Sequence, residues 1–299
     1  MKTSRKIKSD TERLKKPRLH LRRSEAPAEG LQSIALLQLQ SAIAELKGNN
    51  VSPEPVHNAR TYIKKTRAII QLAAPALPKE HREKLYSDLR EASGRLSPLR
   101  DSEVQVETLD LILESNGFDP KECSGIRAGL ADIAKQRRIN DARHIPKVIA
   151  TLKKTLAAVS EWPSDSLDGK DLIRRVRRVY RRGRTTLELC SLNDDPELFH
   201  TWRKLLKQLW YSLRVTVKFW PDDSIRLIEE LELIGESAGK ERDLALLAET
   251  LKHGPKNQTS ARILQAIGEK IPKLRKKAID DGLRFYEPKP KAFTAVMNL

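Results

Sequence analysis

The sequence predicts an all-α protein, and three observations carry that prediction. Leu, Ala, Arg, Lys, Glu and Ile dominate a 299-residue chain with 5% aromatic residues and 13 glycines, and most of these common residues lose little on entering a helix. Apolar residues recur at three-to-four spacing in one segment after another, and none sustains the period-two alternation of a half-buried strand. Turn clusters such as "GNN", "APALP", "NGFDP" and "NDDP" punctuate those segments.

Residues 1–28 lack hydrophobic periodicity and are crowded with lysine and arginine, so a disordered basic arm is expected. From Leu31 a helix is marked by Leu36, Leu39, Ile43 and Leu46, and "GNN" stops it. "SPEPVHNAR" opens a second helix, with prolines suited to a first turn and Ser52 as its cap. It runs to about Ala74. A third stretch spans Lys79 to about Ser115 with a bend expected at Ser97-Pro98, because proline removes a backbone donor. A fourth occupies about 120–160, with a break near "HIP".

"EWPSDSLDGKD" is the best boundary between halves, giving a first helical bundle over about 29–162 and a second over about 169–299. Helices are expected at about 169–191, 197–219, 222–253 and 258–286, with "NDDP" capping the second of these.

The formal net charge is +17 with a pI near 9.9, which points to a polyanionic partner. Residues 1–25 hold ten basic against three acidic side chains, +7 of that total, so the remaining +10 belongs to the rest of the chain. Cys123 and Cys190 lie far apart, without the spacing of a zinc cluster or disulfide framework, and read as buried thiols. No apolar run approaches the roughly 20 residues of a membrane span, and the N-terminus has no apolar leader. A cytoplasmic protein without membrane partners is expected.

The chain also repeats itself. His57, Arg60 and Lys64 match His200, Arg203 and Lys207, and "RDSEVQVETL" from Arg100 matches "RDLALLAETL" from Arg242. Two matches at nearly one offset indicate a tandem duplication of a helical unit. At 100° per residue, His57, Arg60, Lys64 and Arg67 fall on one cationic stripe. The second copy keeps its stripe with His200, Arg203, Lys207 and Arg214, while Trp210 stands in the place of Arg67. In "LIRRVRRVYRRGRTTL", Arg174, Arg177, Arg178, Arg181 and Arg182 form the polar face of an amphipathic helix. Like charges at that spacing oppose the helix, so an anion is expected on that face.

A helical histidine among cations could be a phosphoacceptor, a general base or a metal ligand. No glycine-rich phosphate loop is present, and the positions i+3 and i+7 from His57 are Arg and Lys, which repel metal ions. No cofactor, metal or catalytic residue is therefore assigned. Phosphate binding fits better: arginine offers a planar fork, lysine a point charge and imidazole one donor. Asp101 and Asp243 follow an arginine at equivalent places, where each could orient a histidine or arginine, cap a helix or make a surface ion pair.

The duplicated H-x-x-R-x-x-x-K helices, the "RD" segments after each, and the "VYRRGR" helix resemble the CHAD family, the conserved histidine α-helical domain, over about residues 30–299. The resemblance implies two pseudo-symmetric four-helix bundles whose basic helices line a shared groove or pore. It implies non-catalytic binding of inorganic polyphosphate, association with polyphosphate granules, and partnership with polyphosphate-metabolising enzymes. Its basic motif falls on His57, Arg60, Lys64, Arg67, His200, Arg203 and Lys207, and its second basic helix on Arg177, Arg178, Arg181 and Arg182. Where the family often has a second aspartate after each "RD", this chain has Glu103 and Ala245. A nucleic-acid binder using the same surface is the alternative, with Trp202, Trp210 and Trp220 as base-stacking candidates.

Overall fold

The computed structural model describes residues 17–47, 52–163 and 167–297. Among these, the only regular structure is helical, as the composition predicts. The α-helices are α1 (Pro27–Leu46), α2 (Pro53–Leu72), α3 (Lys79–Arg95), α4 (Ser97–Ser115), α5 (Pro120–Ala142), α6 (Ile145–Ser160), α7 (Gly169–Leu192), α8 (Pro196–Thr216), α9 (Ile225–Lys252), α10 (Gln258–Phe285) and the short α11 (Pro290–Phe293). None is long and apolar enough to cross a membrane.

Local chemistry explains most boundaries. The Asp195 carboxylate accepts from the Glu197 N–H and caps α8, as "NDDP" suggests. Asp168 and Asp171 form a reciprocal capping box on α7. Ser52 precedes α2 but makes no capping hydrogen bond. The third helical position after it is Pro55, which has no N–H to offer. The Ser97-Pro98 bend is a full break between α3 and α4, and "HIP" separates α5 from α6.

One contact plan serves both halves. α1 pairs with α2 as α7 pairs with α8, and α4 with α5 as α9 with α10. α6 packs on α1 and α11 on α7. The register set by Arg100 and Arg242 makes α9 the continuous counterpart of α3 and α4 together.

The hydrophobic cores do not follow the boundary at 163–168. One core takes α1, α2, α3, α6, α7 and α8, with Leu231 and Ile234 of α9 and Phe285 of α10. The other pools Leu109 and Ile112 of α4, Cys123 and Leu130 of α5, Leu244 and Leu247 of α9, and Ile263 and Ile267 of α10. α5 buries only Cys123, Leu130 and Ala134, too narrow a stripe for a core inside its own half. The α4–α5 hairpin therefore shares its apolar surface with α9–α10. Both cysteines are free and buried, and burial pushes the Cys190 thiol up to about 11.

The expected disordered arm is corrected over residues 17–28; residues 1–16 lie outside the described residues. Leu19 and Leu21 are buried, and the Leu21 N–H donates to the Val215 carbonyl at 2.8 Å. Arg23 donates to the Lys218 carbonyl at 2.7 Å, and Arg18 pairs with Glu25 at 2.6 Å. The segment straps α1 to the end of α8.

Close helix approach near the C-terminus depends on Gly282. A Cβ there would stand 2.8 Å from Cζ2 of Trp202 and 2.9 Å from Cδ2 of Leu187, both fully buried. Overpacking of this kind costs about 1–3 kcal/mol, so Gly282→Ala is expected to lower the urea midpoint with an unchanged m-value. A midpoint equal to the parent's would contradict the tight packing.

Candidate anion-binding site

The apolar faces of α2 and α8 orient the two cationic stripes. Val56, Ala59, Ile63 and Thr66 are buried on α2, which leaves His57, Arg60, Lys64 and Arg67 on the adjoining flank of the helix. Phe199, Trp202, Leu206 and Leu209 do the same on α8 for His200, Arg203 and Lys207. α2 and α8 pack against each other, and the stripes meet at Lys64.

Lys64 keeps solvent-exposed surface but stands among many neighbouring atoms. Burial first, then the charges of Arg60, Arg203 and Lys207, push its ammonium down to about 8. Two of those three cations come from the other half. Burial, with Arg203 the foremost neighbouring charge, likewise lowers Lys207.

The stripe residues are fixed from below. Arg60 donates to the Ser93 carbonyl at 2.7 Å and to the Ser97 hydroxyl. Arg67 lies 4.6 Å over the Tyr86 ring and donates to its hydroxyl at 2.7 Å. Trp210 does not interrupt the second stripe. It is 8% exposed, and Lys207 and Arg214 each sit 4.7 Å from its ring centroid, so the indole is a cation–π platform beneath them.

Both histidines are neutral near pH 7. Burial, followed by Lys204, Arg242 and Arg203, pushes His200 down to about 4, and its Nδ1 is buried without a hydrogen-bond partner. Burial, Arg100 and Lys64 lower His57. Asp101 and Asp243 make no side-chain hydrogen bond or ion pair among the described residues, so none of the roles of orienter, cap or ion-pair partner is realised. They act through the field. Asp101 favours the charged forms of Arg60, Lys64 and Arg203, and Asp243 that of Arg203. Burial raises the Asp243 carboxyl, and Asp101 and Glu107 raise it further against the opposing pull of Arg203 and Arg100.

A second basic surface is a cleft of about 410 Å³ between α3 and α7. Arg175, Arg178 and Arg182 of α7 line it with Arg82 and Arg90 of α3, and Gln71, Tyr86 and Gln208 also belong to its lining. Of the five arginines predicted on α7, only Arg178 and Arg182 line it. Arg174 pairs with Asp171 at 2.5 Å, Arg177 donates to the Thr294 hydroxyl at 2.8 Å, and Arg181 is exposed away from the cleft. Arg82, Arg90 and Arg175 were not anticipated, although Arg175, Arg178 and Arg182 follow three-four spacing, and Arg82, Tyr86 and Arg90 recur every four residues.

Comparison with known proteins adds to this geometry. The family model of the CHAD domain matches residues 33–252. The sequence matches no curated protein. The fold is similar to the crystal structure of the CHAD domain from the plant Ricinus communis, at 18% identity and a TM-score of 0.63, covering 90% of this chain and 94% of that one. It is also similar to PptA from Streptomyces chartreusis, at 15% identity and a TM-score of 0.65, covering 87% and 97%.

Proposed function

Because the chain belongs to the CHAD domain family, we propose that it binds inorganic polyphosphate, without catalysis, in the groove between α2 and α8. The observation that carries this reading is the environment of Lys64, an ammonium whose nearest charges are largely cations from both halves. A linear chain with one negative charge per phosphate would relieve that repulsion along the whole groove. Arg60, Arg203 and Arg214 offer forks to phosphate oxygens, and Lys64 and Lys207 offer point charges. Binding to polyphosphate would also bring the protein to polyphosphate granules.

A non-catalytic role suits the histidines, which have cations beside them and no hydrogen-bonded carboxylate among the described residues to orient the imidazole. The nucleic-acid alternative loses its stacking platforms: Trp202, Trp210 and Trp220 are 0%, 8% and 3% exposed. A competition titration tests the choice. Long-chain polyphosphate is expected to displace DNA or RNA at matched phosphate concentration, and failure to do so would favour nucleic acid.

Proton linkage gives a further expected result. The free Lys64 titrates at about 8, and an anion stabilises its charged form, which raises that value in the complex. Affinity should therefore be full below about pH 8 and fall as pH rises towards the pKa of the complex. At pH 8 binding should take up protons, measurable by calorimetry in two buffers of different ionisation enthalpy. Lys64→Met should reduce that uptake; equal uptake in the variant would contradict the assignment.

A further inference from the structure

The arginine cleft stands outside the internal repeat. α1 takes the place in the first half that α7 takes in the second, and it contains no lysine or arginine. The start of α9 takes the place of α3, and there Arg226 is accompanied by Glu229, Glu230, Glu232 and Glu236. A counterpart of the cleft across the repeat would be neutral to acidic, so duplication of the groove motif does not account for five arginines on one side. None of the five forms an ion pair among the described residues. Glu83 is the one carboxylate in the lining. Arg175 and Arg82 are braced by the Gln71 and Ala74 carbonyls at 2.7 and 3.2 Å, which holds their charge in place without neutralising it.

We infer that this cleft is a separate site for the end of a phosphate chain, one that a short linear oligophosphate fills alone. The inference takes the chemical identity of its ligand from the polyphosphate reading. A terminal phosphate has a second ionisation, near 6 in phosphate monoesters, and approaches two charges at pH 7 where an internal phosphate carries one. It is the part of the chain that calls for the densest set of guanidinium forks. The volume of 410 Å³ lies within the roughly 300–1,000 Å³ of small-ligand pockets. Tyr86, in the lining, accepts a hydrogen bond from Arg67 of the α2 stripe, so a chain leaving the groove meets the cleft at that residue. With a cleft on one side only, one end of the chain is held there and the other end is left free.

Calorimetry of the full chain with tripolyphosphate and with long-chain polyphosphate tests this. Arg178→Ala with Arg182→Ala should weaken tripolyphosphate binding roughly tenfold or more, as expected for lost hydrogen bonds to charged groups, and long-chain binding much less. Lys64→Ala with Arg203→Ala should do the reverse. Arg178→Lys with Arg182→Lys, which keeps the charge without the fork, should recover only part of the tripolyphosphate affinity. Unfolding temperatures equal to the parent's show that the variants are folded, and the lysine pair serves if the alanine pair is not. Unchanged tripolyphosphate affinity in the cleft variants, an equal loss from the groove variant, or displacement by sulfate at equal ionic strength would overturn the inference. Long-chain affinity that falls in the cleft variant but is unchanged by Lys64→Ala with Arg203→Ala would sink the groove reading and leave the cleft standing.

Discussion

Replacing Arg60, Lys64, Arg203 and Lys207 together by alanine is expected to lower affinity for long-chain polyphosphate by at least about 100-fold. Hydrogen bonds to charged groups contribute about 1.5–3 kcal/mol each, so even two productive contacts among the four reach that figure. The loss should carry an electrostatic signature. With roughly 0.7 counterions released per phosphate contact on a single strand, the slope of log affinity against log salt should flatten by about 3. Stability should not explain it, because three of these side chains crowd the Lys64 ammonium and its charged form is disfavoured in the free protein. Arg60 is held by hydrogen bonds to Ser93 and Ser97, and Lys207 by its cation–π contact with Trp210. A quadruple variant that binds as tightly as the parent, with the same salt slope, would remove the groove from the account.

Glu241→Ala is expected to be the most destabilising single change outside the apolar core. The Glu241 side chain is 5% exposed and accepts from Nη2 and Nε of Arg275 at 2.6 and 3.1 Å, and Arg275 is itself 15% exposed and stacked 5.4 Å from the Phe199 ring centroid. Removing one member of a buried pair leaves an uncompensated charge and costs about 3–5 kcal/mol. The lower end is expected here, because Asp194 still pairs with Arg275 from an exposed position. The first half shows what the position accepts without a charge. Leu99 stands before Arg100 and Asp101 as Glu241 stands before Arg242 and Asp243, and it is 2% exposed. Glu241→Leu combined with Arg275→Met should therefore recover most of the stability lost by Glu241→Ala. Denaturant melts of the three variants check this, and an unaffected Glu241→Ala would show that the pair does not hold α9 to α10.

Local signals in the sequence were sufficient where proline, capping and helical spacing act within a few residues. Pro98 and Pro146 mark real breaks, Asp195 caps where "NDDP" suggests, and the i, i+3, i+7 spacing puts His57, Arg60 and Lys64 on one face. What failed to show was partnership between distant segments. Nothing local reveals that the narrow stripe of α5 is completed by α9 and α10. Leu19 and Leu21 are too few to create a period among basic neighbours, yet both are buried against the rest of the chain. The sequence shows Trp210 standing in the place of Arg67 within a stripe that is otherwise kept, but not that its ring lies under Lys207 and Arg214. Arg82 and Arg90 were hidden in α3, where acidic and basic residues are mixed around most of the helix. Only the approach of α7 singles them out.

The central claim is that both halves build one polyphosphate site. It is tested most directly by calorimetric stoichiometry with the first stripe neutralised (Arg60→Ala, Lys64→Ala) and, separately, the second (Arg203→Ala, Lys207→Ala). With long-chain polyphosphate as the ligand, each variant is predicted to lose affinity for the one groove, with the number of phosphates bound at saturation unchanged. A variant that keeps the parent's affinity but binds half as much polyphosphate would mean two independent sites, one per half, and would contradict the account.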